Sequence, residues 1–391
     1  MPKTSLSSLK ASSAVRPLKV CLVLKDRGWI LEKMAKKLAE NLTRWNVEAQ
    51  MSFLPSRAAD LNHWMLYYDV EGKMSGRNTL AITHVDRAAK LHVLKRRMKK
   101  ADMGICMSRM TLEQMVFKGI PRQKLCFISP GHDGTIQPKR IVIGITSQIR
   151  SDGAKREHIL VQMARTIRLD YFHFDIVGPN WEKIIPVFEA AGATVSYHSG
   201  ARQKDNAKHL GVVLKALKRF DYYLYMGWDE GSMGLLEALA AGIPTIVTPQ
   251  GFHLDINNGI THSFTDANDL CEIFLRIAKE KEARVNSVRH LTWNEYARKH
   301  ALVWHSIMKG STEGMDSLLH QGEIFSTNMP QYSPAGWRKN WSRVKNKKNF
   351  QSLWEDIAIL WEFYMSTKID DTLGIKILSR FRHFTKRLFA S

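Results

Sequence analysis

The stretch Trp228-Asp-Glu-Gly-Ser-Met-Gly-Leu-Leu-Glu-Ala-Leu-Ala-Ala-Gly-Ile-Pro-Thr-Ile-Val-Thr248 sets two carboxylates around a glycine turn. Asp229 and Glu237 bracket Gly231, Ser232, Met233 and Gly234, and the turn enters a helix expected from about Leu235 to Ala241, with Gly242 just past its end. The first amides of a helix lack partners within it, and glycines let a ligand approach the backbone. The 230–234 loop can therefore form a nest for phosphate or for sugar hydroxyls. Acids beside such a nest are explained by hydroxyl recognition, since a carboxylate accepts two hydroxyl hydrogen bonds. A plainer role for Glu237 is an acid favoured by the positive end of the helix dipole. Arg150 and Lys155, four residues intervening, follow an expected strand Ile141–Ile145 and could neutralise an anionic group. Gly178, directly after an expected strand 172–177, is a further candidate for backbone contact with a ligand.

The first third of the chain offers a second set. Gly28 lies in the turn Lys25-Asp-Arg-Gly-Trp29, and His84 and Asp86 follow the expected strand Thr79–Thr83. A lone turn glycine is more often structural, and a strand-end histidine is as often a surface residue as a functional one. Lys25–Trp29 lacks the G-x-G-x-x-G fingerprint, which disfavours a nicotinamide-dependent dehydrogenase. The 15 histidines show neither H-E-x-x-H nor clustered ligand spacing, so no protein-bound metal and no resident cofactor are expected. His132 and His253 read as loop residues.

These groups must be positioned by repeated strand–turn–helix units. Leu18–Leu24 reads as a buried strand feeding an amphipathic helix with Ile30, Met34, Leu38 and Leu42 on one side. Strands are expected again at 79–83, 103–107 and 125–129, with a basic helix over 87–100 and a helix over 111–117 capped by Ser108 and stopped by Gly119. A second series starts near Arg140, with strands at 141–145, 172–177, 194–197, 222–225 and 244–248 and helices at 157–167 and 206–217. This alternation predicts an α/β chain of two Rossmann-like, doubly wound domains facing a cleft, with ligands at the carboxyl ends of the strands. The expected divisions are a polar leader (1–17), a first Rossmann-like domain (18–135), a second (136–308), a linker with a basic stretch (309–349) and a C-terminal helical extension (350–391).

The 228–248 stretch resembles the E-x7-E signature of retaining GT-B glycosyltransferases of family GT4, with Asp229 in place of the first acid and Glu237 as the second. A register starting at Glu230 is one residue short, so either Asp229 or Glu230 can be the first acid. Three more segments are similar to that family in order: Ile143-Gly144 through Arg150-x4-Lys155, 101–133, and Leu291-Thr-Trp-Asn-Glu-Tyr-Ala297. The resemblance covers about residues 18–308. It implies a nucleotide-sugar donor on the second domain, its diphosphate neutralised by Arg150 and Lys155 without a metal. Glu237 would then bind the ribose, Asp229 or Glu230 the sugar, and the acceptor would meet Gly28, His84 and Asp86. It also places the 291–297 segment at the close of the second domain and His84 near the transferring centre.

With 391 residues, 44% of them hydrophobic, composition excludes disordered, collagen-like and disulfide-scaffold chains. Four scattered cysteines read as reduced buried thiols of a cytoplasmic protein, and no apolar run is long enough to span a bilayer. Residues 1–19 carry no apolar signal region. The net charge of +21 admits nucleic acid, an anionic membrane surface or a phosphate-bearing substrate as partner. No nucleic-acid module is recognisable, so nucleic acid is not the expected partner. The basic runs at 90–100 and 338–348 point instead to a peripheral enzyme at an inner membrane, with a glycan or lipid-linked acceptor of bacterial polysaccharide or lipopolysaccharide synthesis. The competing expectations are a nucleotide-sugar epimerase or inactive GT-B relative, and a basic nucleic-acid-binding protein.

Overall fold

A computed structural model describes residues 16–25, 28–68, 74–199 and 206–311. The expected helical extension, the basic stretch 338–348 and nearly all of the leader lie outside the described residues. Those described form two compact units, 16–134 with 290–311, and 135–289.

In the first unit, β1 (Leu18–Val23), β2 (Val47–Ser52), β3 (Leu61–Trp64), β4 (Arg77–Ile82), β5 (Met103–Cys106) and β6 (Leu125–Phe127) form one parallel sheet in the order β2-β1-β3-β4-β5-β6. α1 (Ile30–Leu42) packs on one face through Met34, Ala35, Leu38 and Leu42, while Ile30 is exposed rather than buried with them. α2 (Ala88–Met98) and α3 (Arg109–Phe117) supply Leu94, Met98, Leu112 and Met115 to the other face. The Ser108 side chain caps α3 by accepting from the Thr111 amide at 3.1 Å. Two strands were not expected. β2 buries only Val47, so it carries no apolar run, and β3 reads Leu-Asn-His-Trp, with Asn62 and His63 buried but hydrogen-bonded.

The second unit contains β7 (Ile141–Ile145), α4 (Glu157–Thr166), β8 (Phe172–Val177), α5 (Ile185–Ala190), β9 (Thr194–His198), α6 (Asn206–Leu217), β10 (Tyr222–Tyr225), α7 (Met233–Ala240), β11 (Thr245–Val247), β12 (His262–Ser263) and α8 (Ala267–Val288). Its parallel sheet runs β12-β11-β10-β7-β8-β9. Taken from β9, this is the 3-2-1-4-5-6 order of a dinucleotide-binding fold, and the first sheet has the 2-1-3-4-5 type extended by one strand. α4, α5 and α8 cover one face around Phe172, Phe174, Phe188 and Phe274, and α6 and α7 cover the other around Tyr223, Leu235 and Ala238. The α/β, doubly wound expectation is met in both units.

α9 (Trp293–Lys309) departs from expectation. The sequence resemblance assigns its start to the close of the second domain, but the helix packs with α1 in the first unit. Trp293, Tyr296, Ala297, Ala301, Val303 and Trp304 fall at helical spacing on one face and join the core containing Leu38 and Leu61. The isolated bridge between His132 and Thr292 and the Trp293 indole bond to Asp133 (2.9 Å) pin the returning chain to the end of the first segment.

Candidate functional site

In the second sheet, strand order reverses between β7 and β10. Loops leaving two such strands diverge to opposite faces and open a crevice at the carboxyl ends, the place where doubly wound sheets bind ligands. The loop after β7 carries Arg150 and Lys155, and the loop after β10 carries Asp229 to Ser232.

β10 itself builds the floor. Tyr223 and Tyr225 are two residues apart on a strand, so they project from the same face, and both are buried. The Tyr223 hydroxyl lies 3.1 Å from Thr146 Oγ1 and 2.8 Å from Ser232 Oγ, which joins the start of the first loop to the start of α7. Burial pushes the Tyr223 phenol up to about 12. The Tyr225 hydroxyl donates to the Asp229 carboxylate at 2.6 Å and accepts from Lys155 Nζ at 2.7 Å. Lys155 Nζ also donates to Asp229 Oδ2 at 2.6 Å, closing a three-member ring of charge-assisted bonds. Burial and the Asp229 carboxylate together raise the Tyr225 phenol, so it stays protonated and keeps donating. Partial burial would raise the Asp229 carboxyl. Hydrogen bonds from Lys155, Tyr225 and the Gly231 amide, with the Lys155 charge, outweigh that and hold it below the usual carboxylate range.

Both loops are fixed by backbone contacts. The Trp228 amide donates to the Ala154 carbonyl at 2.7 Å, and the Arg156 guanidinium sits 5.2 Å from the centre of the exposed Trp228 ring. The Trp181 indole holds the Ser147 carbonyl at 2.7 Å. Gly178, at φ +145°, lets this same loop lie on the end of β8, where any Cβ would strike the Ser147 carbonyl. Gly231, at φ +121°, turns the second loop over the Phe252 ring. Both glycines thus meet protein atoms at the positions where a side chain would start.

The expected amide nest is narrower than the sequence suggests. Gly231 N donates to Asp229 Oδ1 at 3.2 Å and Ser232 N to the Nε2 of the fully buried His253 at 3.0 Å. The other nitrogen of that ring, Nδ1, lies 3.1 Å from the Thr248 carbonyl, so His253 braces the glycine turn against the chain just past β11. The helix starts at Met233 rather than Leu235, which leaves Glu237 one turn inside α7 and outside the first-turn position that the helix dipole favours. Met233 is exposed, Gly234 packs against Thr146 and Tyr223, and Glu230 is exposed with its carbonyl bonded to the Phe252 amide at 3.0 Å. Glu237 is half-buried and forms no ion pair among the described residues.

The structure therefore joins Lys155 to Asp229 and adds Tyr225, Tyr223 and His253. Arg150 stays apart from that ring: it pairs with Asp152 on its own loop at 2.7 Å and is 53% exposed against 16% for Lys155. The signal that could have found Tyr225 is its repetition with Tyr223 in a short strand that feeds an acidic glycine turn, because a buried phenol needs a partner.

The first unit holds its own candidates at strand ends. Gly28 (φ +86°) follows β1, beside the point where that sheet's order reverses, and its amide donates to Glu32 Oε2 at 2.6 Å. His84 is exposed after β4, its carbonyl accepting from the Tyr67 hydroxyl at 2.9 Å, and Asp86 pairs with Lys90 at 2.8 Å. Among the described residues no three His, Cys, Asp or Glu side chains come together as a metal site.

No family model matches the chain, and no curated protein matches it. Among solved structures, a lipopolysaccharide outer core galactosyltransferase, WaaB, is 12% identical, covering 75% of this chain and 98% of its own, with a TM-score of 0.30. HepE of Anabaena, solved with UDP-glucose, is 11% identical over 77% of this chain and 100% of its own, with a TM-score of 0.28. A glycosyltransferase from Rickettsia africae is 13% identical over 76% and 100%, with a TM-score of 0.30. TM-scores this low leave the functional reading to the chain's own residues.

Proposed function

We propose that the chain is a metal-independent retaining glycosyltransferase of the GT-B, GT4-like kind, moving a sugar from a nucleotide-sugar donor to a glycan or lipid-linked acceptor. The observation that carries this reading is the ring that Tyr225, at the end of β10, forms with Lys155 and Asp229 of the two loops that leave the reversal point of a dinucleotide-fold sheet. A cation and a carboxylate within 2.6 Å at that place match a ligand that brings phosphate and hydroxyls together.

Lys155 and Arg150 stabilise the departing diphosphate electrostatically, helped by the Met233 and Gly234 amides at the start of α7. Asp229, or Glu230 beside it, accepts sugar hydroxyls, and Glu237 on α7 accepts those of the ribose. Gly178 and Gly231 contribute by shaping the two loops. The acceptor side belongs to the first unit, at Gly28, His84 and Asp86. As the acceptor oxygen bonds to the anomeric carbon, that carbon's bond to the diphosphate oxygen breaks, and the diphosphate takes the acceptor proton.

A thermal-shift panel of UDP-, GDP-, CMP- and ADP-sugars tests the donor assignment. One selective stabiliser is expected, and none at all removes the enzyme reading. With the donor in hand, Lys155→Ala lowers turnover by about 10²–10³, the cost of deleting one transition-state stabiliser. Arg150→Ala is expected to act in the same direction, and full activity in both variants discards the role of the cations. No helix among the described residues is long and apolar enough to cross a membrane. The basic outer face of α2 is the proposed contact with an anionic inner-membrane surface.

A further inference from the structure

The Lys155 ammonium is closed by protein groups. Asp229 Oδ2 lies at 2.6 Å and the Tyr225 hydroxyl at 2.7 Å, and only 16% of the lysine side chain is exposed. An anion that is to meet this cation must take the place of a carboxylate already bonded to it. The pair carries no net charge, so a simple anion gains little by approaching and meets a carboxylate at short range. The carboxylate is itself anchored from below, because the Tyr225 hydroxyl reaches both of its oxygens, at 2.6 and 2.7 Å. When Nζ is taken from it, Asp229 can remain bonded to the phenol and turn its freed acceptor sites to another donor.

We propose that Asp229 is a specificity residue that acts as a built-in competitor for Lys155. It keeps bare phosphate and diphosphate away and yields only to a ligand that brings a diphosphate for the ammonium together with hydroxyl donors for the displaced carboxylate. This rests on the anion-site reading of the preceding subsection and adds a selection rule to it. A diphosphate without an attached hydroxyl-bearing group leaves Asp229 charged, unpaired and close to phosphate oxygens. A sugar diphosphate supplies what the carboxylate lost, so the exchange of partners is balanced hydrogen bond for hydrogen bond. The site thereby prefers the intact donor to its cleaved leaving group and favours release of the latter.

Inorganic pyrophosphate is the probe that separates the two ideas, because it contains neither base nor sugar. Calorimetric titration of the full chain at constant ionic strength compares the wild type with Asp229→Asn, Asp229→Ser, Lys155→Gln and Asp170→Asn. Asp170 lies at the amino end of β8, paired with Arg168, so its replacement removes the same charge from the same unit away from the crevice. Asp229→Asn and Asp229→Ser are expected to bind pyrophosphate about 3- to 10-fold more tightly, the competition of one partly buried ion pair. Asp170→Asn stays within about twofold of the wild type, and Lys155→Gln loses most of the binding. If the folded Asp229 variants bind pyrophosphate no more tightly than Asp170→Asn while Lys155→Gln still loses it, the competitor role is overturned and the anion site stands. If Lys155→Gln binds as well as the wild type, the anion site itself fails and the competitor role falls with it. Two substitutions of different shape at position 229 keep the test available should one fail to fold.

Discussion

Tyr225 donates to one carboxylate and accepts from one ammonium, and that double role has a measurable signature. Tyr225→Phe keeps both charges and nearly all of the packing while removing the hydroxyl that holds Asp229 when Lys155 is drawn away. The loss of a hydrogen bond of this kind costs about 1 kcal/mol of stability. For a unit of this size that lowers the unfolding midpoint by about 2–4 °C. Turnover of the donor is expected to fall further, about tenfold, because the carboxylate loses its anchor in the step where it changes partner. Turnover unchanged in a variant with a normal melt assigns Tyr225 to packing alone. The acids could be picked out in the sequence because a glycine turn with carboxylates at fixed spacing is a local pattern, and Lys155 because it follows the end of an expected strand. Tyr225 was not, because Tyr-Tyr-Leu-Tyr reads as an ordinary buried strand and its partner Lys155 lies 70 residues earlier. Arg150 and Lys155 look equivalent in sequence and differ in the fold, where one is paired at the loop surface and the other is drawn under Asp229.

At the scale of elements, periodicity was informative where a segment buries one face or two, and silent where polar residues are buried. The strands from Phe172 to Val177 and Tyr222 to Tyr225 and the helix from Asn206 to Leu217 fall where the apolar pattern puts them. β3 escaped because His63 and Asn62 face the interior, and the reason His63 can do so lies far along the chain. Its ring meets His300 of α9 edge to face, with centroids 5.3 Å apart, and its Nδ1 lies 2.9 Å from Thr79 Oγ1, which also accepts from the Trp304 indole at 3.1 Å. Both imidazoles are fully buried, and neither Nε2 has a hydrogen-bond partner among the described residues. Burial, and for His63 also the neighbouring His300, depresses both rings, His300 to about 4 and His63 well below its ordinary value. In the unfolded chain both would titrate near 6.5, so between about pH 6.5 and 4 the unfolded state binds more protons. Stability from this cluster is therefore full above that window and is lost as pH falls through it, by about 3 kcal/mol for His300 alone. Chemical denaturation of the full chain across this range should show the loss, and His300→Gln should flatten its slope by about one proton. An unchanged slope in a folded His300→Gln variant removes the histidine from the account. The same packing argues that Trp304→Ala, which empties a fully buried indole site between α9 and the first sheet, costs about 3–5 kcal/mol.

Over the whole molecule, the surplus of 58 basic over 37 acidic residues is not spread evenly among the roles described above. Lys155 is consumed by Asp229, and Lys90 and Arg97 of α2 are buried, the former paired with Asp86. What α2 and the turn after it expose is Lys95, Arg96, Lys99 and Lys100 with His92, and no acid occurs between Arg87 and Lys100. A plainer reason for cations there is the negative end of the helix dipole, but Lys124 already meets the Met98 and Ala101 carbonyls at 3.0 Å. Four further cations over so short a span exceed what capping needs. Phe117, 63% exposed at the end of α3, adds an apolar side chain next to Lys118. Each cation held near an anionic bilayer contributes about 1 kcal/mol, so replacing these four with Ala should weaken binding to phosphatidylserine-containing vesicles by about a hundredfold or more at low salt. The control replaces Arg165, Lys183, Lys215 and Lys218, four exposed cations of the second unit, and lowers the net charge by the same amount. Co-sedimentation with anionic and with neutral vesicles distinguishes a placed surface from a diffuse field. Loss confined to the α2 variant and to anionic vesicles supports the placed surface. Equal loss in both variants leaves only the overall charge, whose attraction is screened beyond about 10 Å at 0.1 M salt and carries no orientation.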